Sequence, residues 1–126
     1  MSNEVIVLTS NIAAYPDLKG ENLAMIDSLK KAGLNSKLVC WHELFDQLMV
    51  NKKPRGLLLM RTVWDYPLYF EKFMKFIDLI HSSHLPCINP VEVIKWNVSK
   101  MYLLDIKSVD ISIVPAQVIL KGEQTP

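Results

Sequence analysis

The residues best placed by type and spacing to do chemistry lie in the run RTVWDYP, Arg61 to Pro67, which directly follows an apolar, strand-like stretch. Arg61, Trp64, Asp65 and Tyr66 put one cation, one anion and two large rings within six residues. Two readings of the run stand open. In one, Asp65 caps the helix that follows, Trp64 plugs the edge of a sheet and Arg61 pairs with Asp65. In the other, the run anchors the carboxylate or amino group of a small polar substrate, with Arg61 as a bidentate donor.

A second candidate is a lone lysine. The segment KWNVSKMYLLDI, Lys95 to Ile106, reads as a helix that is apolar almost all the way round. At about 100° per residue, Val98, Met101, Tyr102, Ile106 and Val109 share one side, while Lys100 and Lys107 share the other, flanked by Leu103 and Leu104. A helix at the rim of an isolated domain shows a broader polar face than this, which suggests that a covering element is missing from the chain. His81 and His84, in HSSH, stand one turn apart as two metal ligands would, or sit at a helix C-terminus where imidazoles suit the local dipole. Cys40 and Cys87 are too far apart for a metal signature or a disulfide framework, and neither has a sequence-local base.

The elements that must position these residues are legible as apolar runs. EVIVLTS, SKLVCW, GLLLMRT and LPCINP are short and continuous, as strands covered on both faces are. Between the first two, Leu23, Ile26 and Leu29 mark a helix face that closes in Lys30, Lys31 and Gly33, cations followed by a terminal glycine. Phe70, Phe73, Ile77 and Ile80 mark a longer helix with Pro67 near its first turn. HELFDQLMVNKK supplies a short helix between the second and third strands. This order predicts an α/β, three-layer fold on a mostly parallel sheet of about four strands, with strands one and three central and the spatial order 2-1-3-4. After Asn89 the pattern changes to two short helices, PVEVIKW and NVSKMYLLDIKSV, and a last strand, IVPAQVIL. Residues 1–89 are therefore expected to form the α/β domain and 90–126 an exit segment.

Composition narrows the function. Fourteen basic and thirteen acidic side chains leave a net charge of +1, which gives no electrostatic footprint for nucleic acid or an anionic membrane. No signal peptide or bilayer-length apolar run is indicated, so a cytoplasmic protein with reduced thiols is expected. The first strand ends in Thr9, Ser10 and Asn11 with no glycine before Gly20. Neither a dinucleotide fingerprint nor a phosphate-cradling loop can be built there. A phospho-receiver would want a carboxylate where the third strand instead ends in Met60 and Arg61.

In order and spacing, several features from Arg61 to Ile119 are similar to the ATP-grasp superfamily at the seam between its N-terminal and ATP-binding domains. They are R-x-x-W-D-Y after a strand, a phenylalanine-rich helix, I-N-P before a short helix, W-N-x-x-K-x-Y-L-L opening the next, and a V-P strand beyond it. Within that superfamily the chain resembles glutathione-synthetase-like and ring-forming ligase-like members. TSNIAAYPDLKGEN resembles the family's first-strand loop.

The resemblance implies a Rossmann-like pre-ATP-grasp domain of a ligase that uses ATP and magnesium to activate a carboxylate as an acyl phosphate. It implies that Lys100 reaches the nucleotide phosphates. It also implies a small amino-acid-like substrate, whose contacts would come from Ser10, Tyr15, Arg61, Trp64, Asp65 and Tyr66. The expected partner is an ATP-binding domain, of the same or another chain, without which this chain is expected to be inactive and to bind no cofactor tightly. Apolar residues after Asn89, Leu103, Leu104, Val114 and Val118 among them, are expected to meet that domain or to make a homodimer. The alternative is a free-standing α/β domain that binds a small ligand or a protein and does no chemistry.

Overall fold

The computed structural model describes residues 4–119 and 121–123. Four strands form one sheet: β1 Glu4–Thr9, β2 Asn35–Cys40, β3 Leu57–Thr62 and β4 Cys87–Ile88. All pairings are parallel and the order is β2-β1-β3-β4, as the sequence predicts. Helices α1 (Leu18–Lys31), α2 (Trp41–Met49) and α3 (Phe70–Ser82) make the crossovers. The chain steps from β1 outward to β2, then returns past β1 to β3. Right-handed connections therefore put α1 on one face and α2 with α3 on the other. The order reverses between β1 and β3, and it is outside the carboxyl ends of such a pair that α/β sheets open a crevice.

The core forms where these faces meet. Val5 to Leu8 of β1 are buried, as are Leu58 of β3, Leu44 and Leu48 of α2, and Phe73, Phe76, Ile77 and Ile80 of α3. Three expectations need correction. The face of α1 that packs inward carries Leu18 and Asn22, while Leu23 is exposed, because at about 100° per residue Leu18, Asn22 and Leu29 fall together and Leu23 lies well to one side of them. On α3, Phe70 is exposed and Phe76 is buried, since Phe73, Phe76, Ile77 and Ile80 share one arc of the helix and Phe70, its first residue after the short 3-10 turn Tyr66–Tyr69, lies at the margin of that arc. Trp41 does not end β2 but opens α2, with no loop between, and is completely buried.

Three helices of the α/β unit end in the same way. After α1, Gly33 N–H donates to Lys30 O and Leu34 N–H to Leu29 O, the paired bonds of a Schellman motif with Gly33 left-handed at φ 80°. Asn51 and His84 occupy the same position after α2 and α3, at φ 58° and 54°, with the same pairs of bonds. Asparagine and histidine adopt this conformation more readily than most side chains, but neither as freely as glycine. At the opposite end of the sheet, Gly56 has φ 139° and a Cβ there would lie 2.6 Å from Glu4 O, so only glycine admits the chain into β3.

Residues Met1–Val91 and Glu92–Pro126 form two separate compact units. In the second, two short helices follow one another as expected, but the helical run read over Lys95 to Ile106 is interrupted and the second helix begins later than Asn97. Helix α4, Val91–Asn97, stops, and α5, Tyr102–Ser108, starts afresh. Ser99 Oγ accepts a bond from the Met101 N–H at 3.3 Å, a local turn that competes with helix continuation. Trp96 Nε1 then donates to Asp105 Oδ2 at 2.6 Å and its ring meets Tyr102 at 5.2 Å, which ties the two short helices together. The strand expected over Ile113 to Leu120 is also not formed: residues 111–119 have no ladder partner, and Leu120 lies outside the described residues. A strand exists only by pairing its N–H and C=O groups with a neighbour.

The His84 geometry gives one prediction. Replacing His84 by glycine removes the left-handed penalty at an exposed position and should raise the unfolding free energy by about 1 kcal/mol. Urea unfolding of the two proteins checks it, and a variant no more stable than the parent would show that the α3 terminus is not strained.

Candidate functional site

Two buried polar networks occupy the crevice between β1 and β3. The deeper one holds α1 to the sheet. Thr9, Asn22 and Thr62 are all buried; Asn22 Nδ2 donates to Thr9 Oγ1 at 2.9 Å, and Thr62 Oγ1 lies 2.7 Å from Asn22 Oδ1 and 2.8 Å from Thr9 Oγ1. A hydroxyl has one proton. Thr62 gives its proton to Asn22 Oδ1, so the proton between the two hydroxyls is that of Thr9, for which Ser10 O at 3.1 Å competes. Thr9 and Thr62 pair across a bulge after Leu8 and Met60. Arg61 is the residue left over, and its side chain turns outward.

Above this lies Asp65, 5% exposed. Ser10 Oγ donates to its Oδ1 at 2.6 Å, Trp41 Nε1 donates to the same oxygen at 2.8 Å, and His42 Nε2 lies 2.8 Å from Oδ2. The Asp65 N–H returns a bond to Ser10 Oγ at 3.2 Å. Burial pushes the Asp65 carboxyl upward, but the hydrogen bonds from Ser10, His42 and Trp41 outweigh it and hold the group below its ordinary 3.8. On the far side of the imidazole, His42 Nδ1 is 2.8 Å from Lys72 Nζ. An ammonium can only donate, so Nδ1 accepts and Nε2 carries the proton directed at Asp65. The His42 ring lies 3.9 Å from Trp41 and edge-on to Tyr69 at 4.8 Å.

The outer end of this chain opens into a pocket of about 530 Å³, lined by Asn11, Ala14, Tyr15, Cys40, His42, Glu43, Asp65, Tyr69 and Lys72. The volume suits a small ligand. Its walls come from the loop after β1, the β2 to α2 junction, the segment after β3 and the start of α3.

The residues expected from sequence are distributed unevenly around it. Asp65 and Tyr15 line the pocket. Ser10 is fully buried beneath it, where it holds Asp65. Tyr66 is half-buried with its ring against Phe73 at 5.0 Å. Trp64 is 54% exposed and plugs nothing. Arg61 pairs with Glu21 of α1 at 3.4 Å, both partners exposed, and is not among the pocket's lining residues. Asp65 begins the 3-10 turn, yet its carboxylate makes no capping bond. Lys100 lies outside any helix, exposed in the turn between α4 and α5 with Nζ 5.4 Å from the Tyr102 ring centre.

Sequence reasoning missed Asn22, Trp41, His42, Glu43, Tyr69 and Lys72. One signal was available for three of them: Trp41, His42 and Glu43 follow the second strand, so a parallel sheet must bring them to the same edge as RTVWDYP. Among the described residues no group of three His, Cys, Asp or Glu side chains is arranged for a metal ion. His81 and His84 lie at the end of α3. Burial pushes the Cys87 thiol up to about 11, away from nucleophilic use.

Residues 5–89 match the family described as "D-cycloserine synthetase DcsG, N-terminal domain". No curated protein matches the chain. Among solved structures, the crystal structure of D-cycloserine synthetase DcsG superposes with a TM-score of 0.76 at 15% identity, covering 95% of this chain and 38% of that one. The chain thus spans little more than a third of the length of that synthetase. The match agrees with the resemblance to the N-terminal domain of an ATP-grasp ligase.

Asp65 fixes a pH dependence. A carboxyl held below its ordinary value stabilises the fold fully above that value, and the contribution is lost as the pH falls through the lower native one. Asp65→Asn should cost about 3 kcal/mol at neutral pH and should remove part of the parent's loss of stability on acidification below about pH 4. Urea unfolding across pH 2.5 to 7 checks both; parallel pH profiles for parent and variant would contradict the assignment.

Proposed function

The chain belongs to the family of D-cycloserine synthetase N-terminal domains, and on that footing we propose that it is the substrate-side domain of an ATP-dependent carboxylate-amine or related ligase acting through an acyl phosphate. The observation that carries this reading is the pocket at the carboxyl ends of β1, β2 and β3, where one buried carboxylate accepts from Ser10, Trp41 and His42, and His42 in turn meets Lys72. In this reading the pocket receives the small amino-acid-like substrate. Tyr15, Asn11 and Tyr69 supply its walls, while Ser10 and Asp65 act from beneath as positioning residues.

ATP and magnesium are the cofactors that such a ligase requires. The described residues do not make a complete site for them. Lys100 is one exposed cation suited to a phosphate, and no carboxylate cluster for the metal accompanies it. The rest of the nucleotide site is assigned to an ATP-binding domain of the same or another chain. Leu104, Val114 and Val118 are exposed at 42%, 69% and 42%, and exposed apolar groups of this kind suit contact with that domain or, in its absence, with a second copy. The largely neutral charge and the pocket's size favour a small-molecule substrate over nucleic acid. No helix of the described residues is long and apolar enough to cross a membrane.

Nuclear magnetic resonance with ATP and magnesium tests the division of labour. Nucleotide should perturb residues 98–104 around Lys100 weakly and leave Asn11, Tyr15 and Asp65 unmoved, and the chain alone should release no ADP or phosphate from ATP with amino acids present. Perturbation centred on Asn11 and Asp65, or turnover that survives repurification and is lost in Lys100→Ala, would contradict the reading.

A further inference from the structure

Lys72 is a cation without an anion of its own. Its Nζ lies 2.8 Å from His42 Nδ1 and within 5.0 and 5.5 Å of the ring centres of Phe45 and Trp41. The ion pairs of the described residues join Lys31 to Asp27, Lys37 to Glu4 and Arg61 to Glu21, none of them using Lys72, and the neutral His42 meets Asp65 as a hydrogen-bond donor. Ring faces hold an ammonium in place without neutralising it. The bond to His42 uses one of its three protons and leaves two. The contact with Asp65 selects the tautomer with its proton on Nε2, so Nδ1 presents a lone pair that holds the Lys72 ammonium at the wall of the pocket that both residues line. Glu43 lines the same pocket, exposed and outside every ion pair named above. Beside the buried Asp65, which reaches Lys72 only through the imidazole, the cavity therefore offers one cation and one anion that no direct ion pair engages.

We propose that Lys72 is the anion-recognition residue of this pocket: it binds the carboxylate of a small zwitterion whose ammonium group is received by Glu43. The proposal rests on the reading of the pocket as the substrate site and transfers to Lys72 the role that residue types alone suggest for Arg61, whose charge is engaged with Glu21 at the surface. A monoanionic carboxylate fits better than a phosphate. A single ammonium balances one negative charge, Glu43 and Asp65 oppose a second, and no glycine-rich backbone is present in the lining to share the load.

Amide-resolved titration of the chain with four probes tests this: alanine, which carries both charges; propionate, the carboxylate alone; alaninamide, the ammonium alone; and inorganic phosphate. Alanine should perturb Tyr15, His42 and Lys72 at the lowest concentration, with propionate next and phosphate behind it. Lys72→Met, which keeps the alkyl stem over the rings, should weaken alanine and propionate about tenfold or more and leave alaninamide within about twofold. Lys72→Arg should retain propionate, and Glu43→Gln should weaken alanine but not propionate. Should Lys72→Met fail to fold, alaninamide binding more tightly than propionate to the parent would overturn the proposal by itself. Alanine binding in the pocket with undiminished affinity in Lys72→Met would overturn it while leaving the substrate-site reading intact. Phosphate binding more tightly than alanine would overturn the carboxylate assignment. Failure of all four probes to perturb the pocket would overturn the substrate-site reading and the proposal together.

Discussion

A carboxylate buried at the edge of a sheet must find donors, and the search of Asp65 for donors shapes this domain. The donors come from two parts of the chain distant from Asp65 in sequence: Ser10 after β1, and Trp41 with His42 at the β2 to α2 junction. The bonds to one group hold the ends of three strands together at the point where strand order reverses. Leaving such a charge unpaired would cost several kcal/mol, so none of these segments is free to drift. The pocket is the space above this joint. Its shape follows from loops fixed at their roots, and its charge follows from a relay that starts at Asp65 and ends at Lys72.

The relay separates the residues that hold from the residues that touch. Ser10 and Trp41 are fully buried and cannot meet a ligand, although they determine where Asp65 and His42 stand. Thr9, Asn22 and Thr62 do the same service one layer lower, fixing the bulge that turns Arg61 out of β3. The groups left facing the cavity are few and of mixed charge. Such a division, with a rigid polar support under a sparse set of contact groups, is what a site needs to orient a small polar molecule.

The sheet was legible in the sequence because buried parallel strands leave unbroken apolar runs, and chain order with right-handed crossovers then fixes 2-1-3-4. The site was legible only in part. Asp65 and Tyr15 stand out by type and position, but His42 and Lys72 lie on amphipathic helices where a histidine and a lysine look like ordinary surface residues. Asn22 hides for the opposite reason: it is a polar residue on a buried face, recognisable only once Thr9 and Thr62 are placed beside it. The division into two short helices was legible, but the start of the second was placed too early because the helical wheel assumed continuity across Ser99, whose hydroxyl instead takes a backbone N–H. The final strand was missed because pairing depends on a neighbour and not on the segment alone.

The central claim is that an ionised Asp65 sets the protonation pattern of His42 and, through it, the position of Lys72. The nitrogen chemical shifts of the His42 ring at neutral pH measure this directly. The account predicts a protonated Nε2 and an unprotonated Nδ1. A proton on Nδ1, with Nε2 bare, would contradict it, since the imidazole could then neither donate to Asp65 nor accept from Lys72.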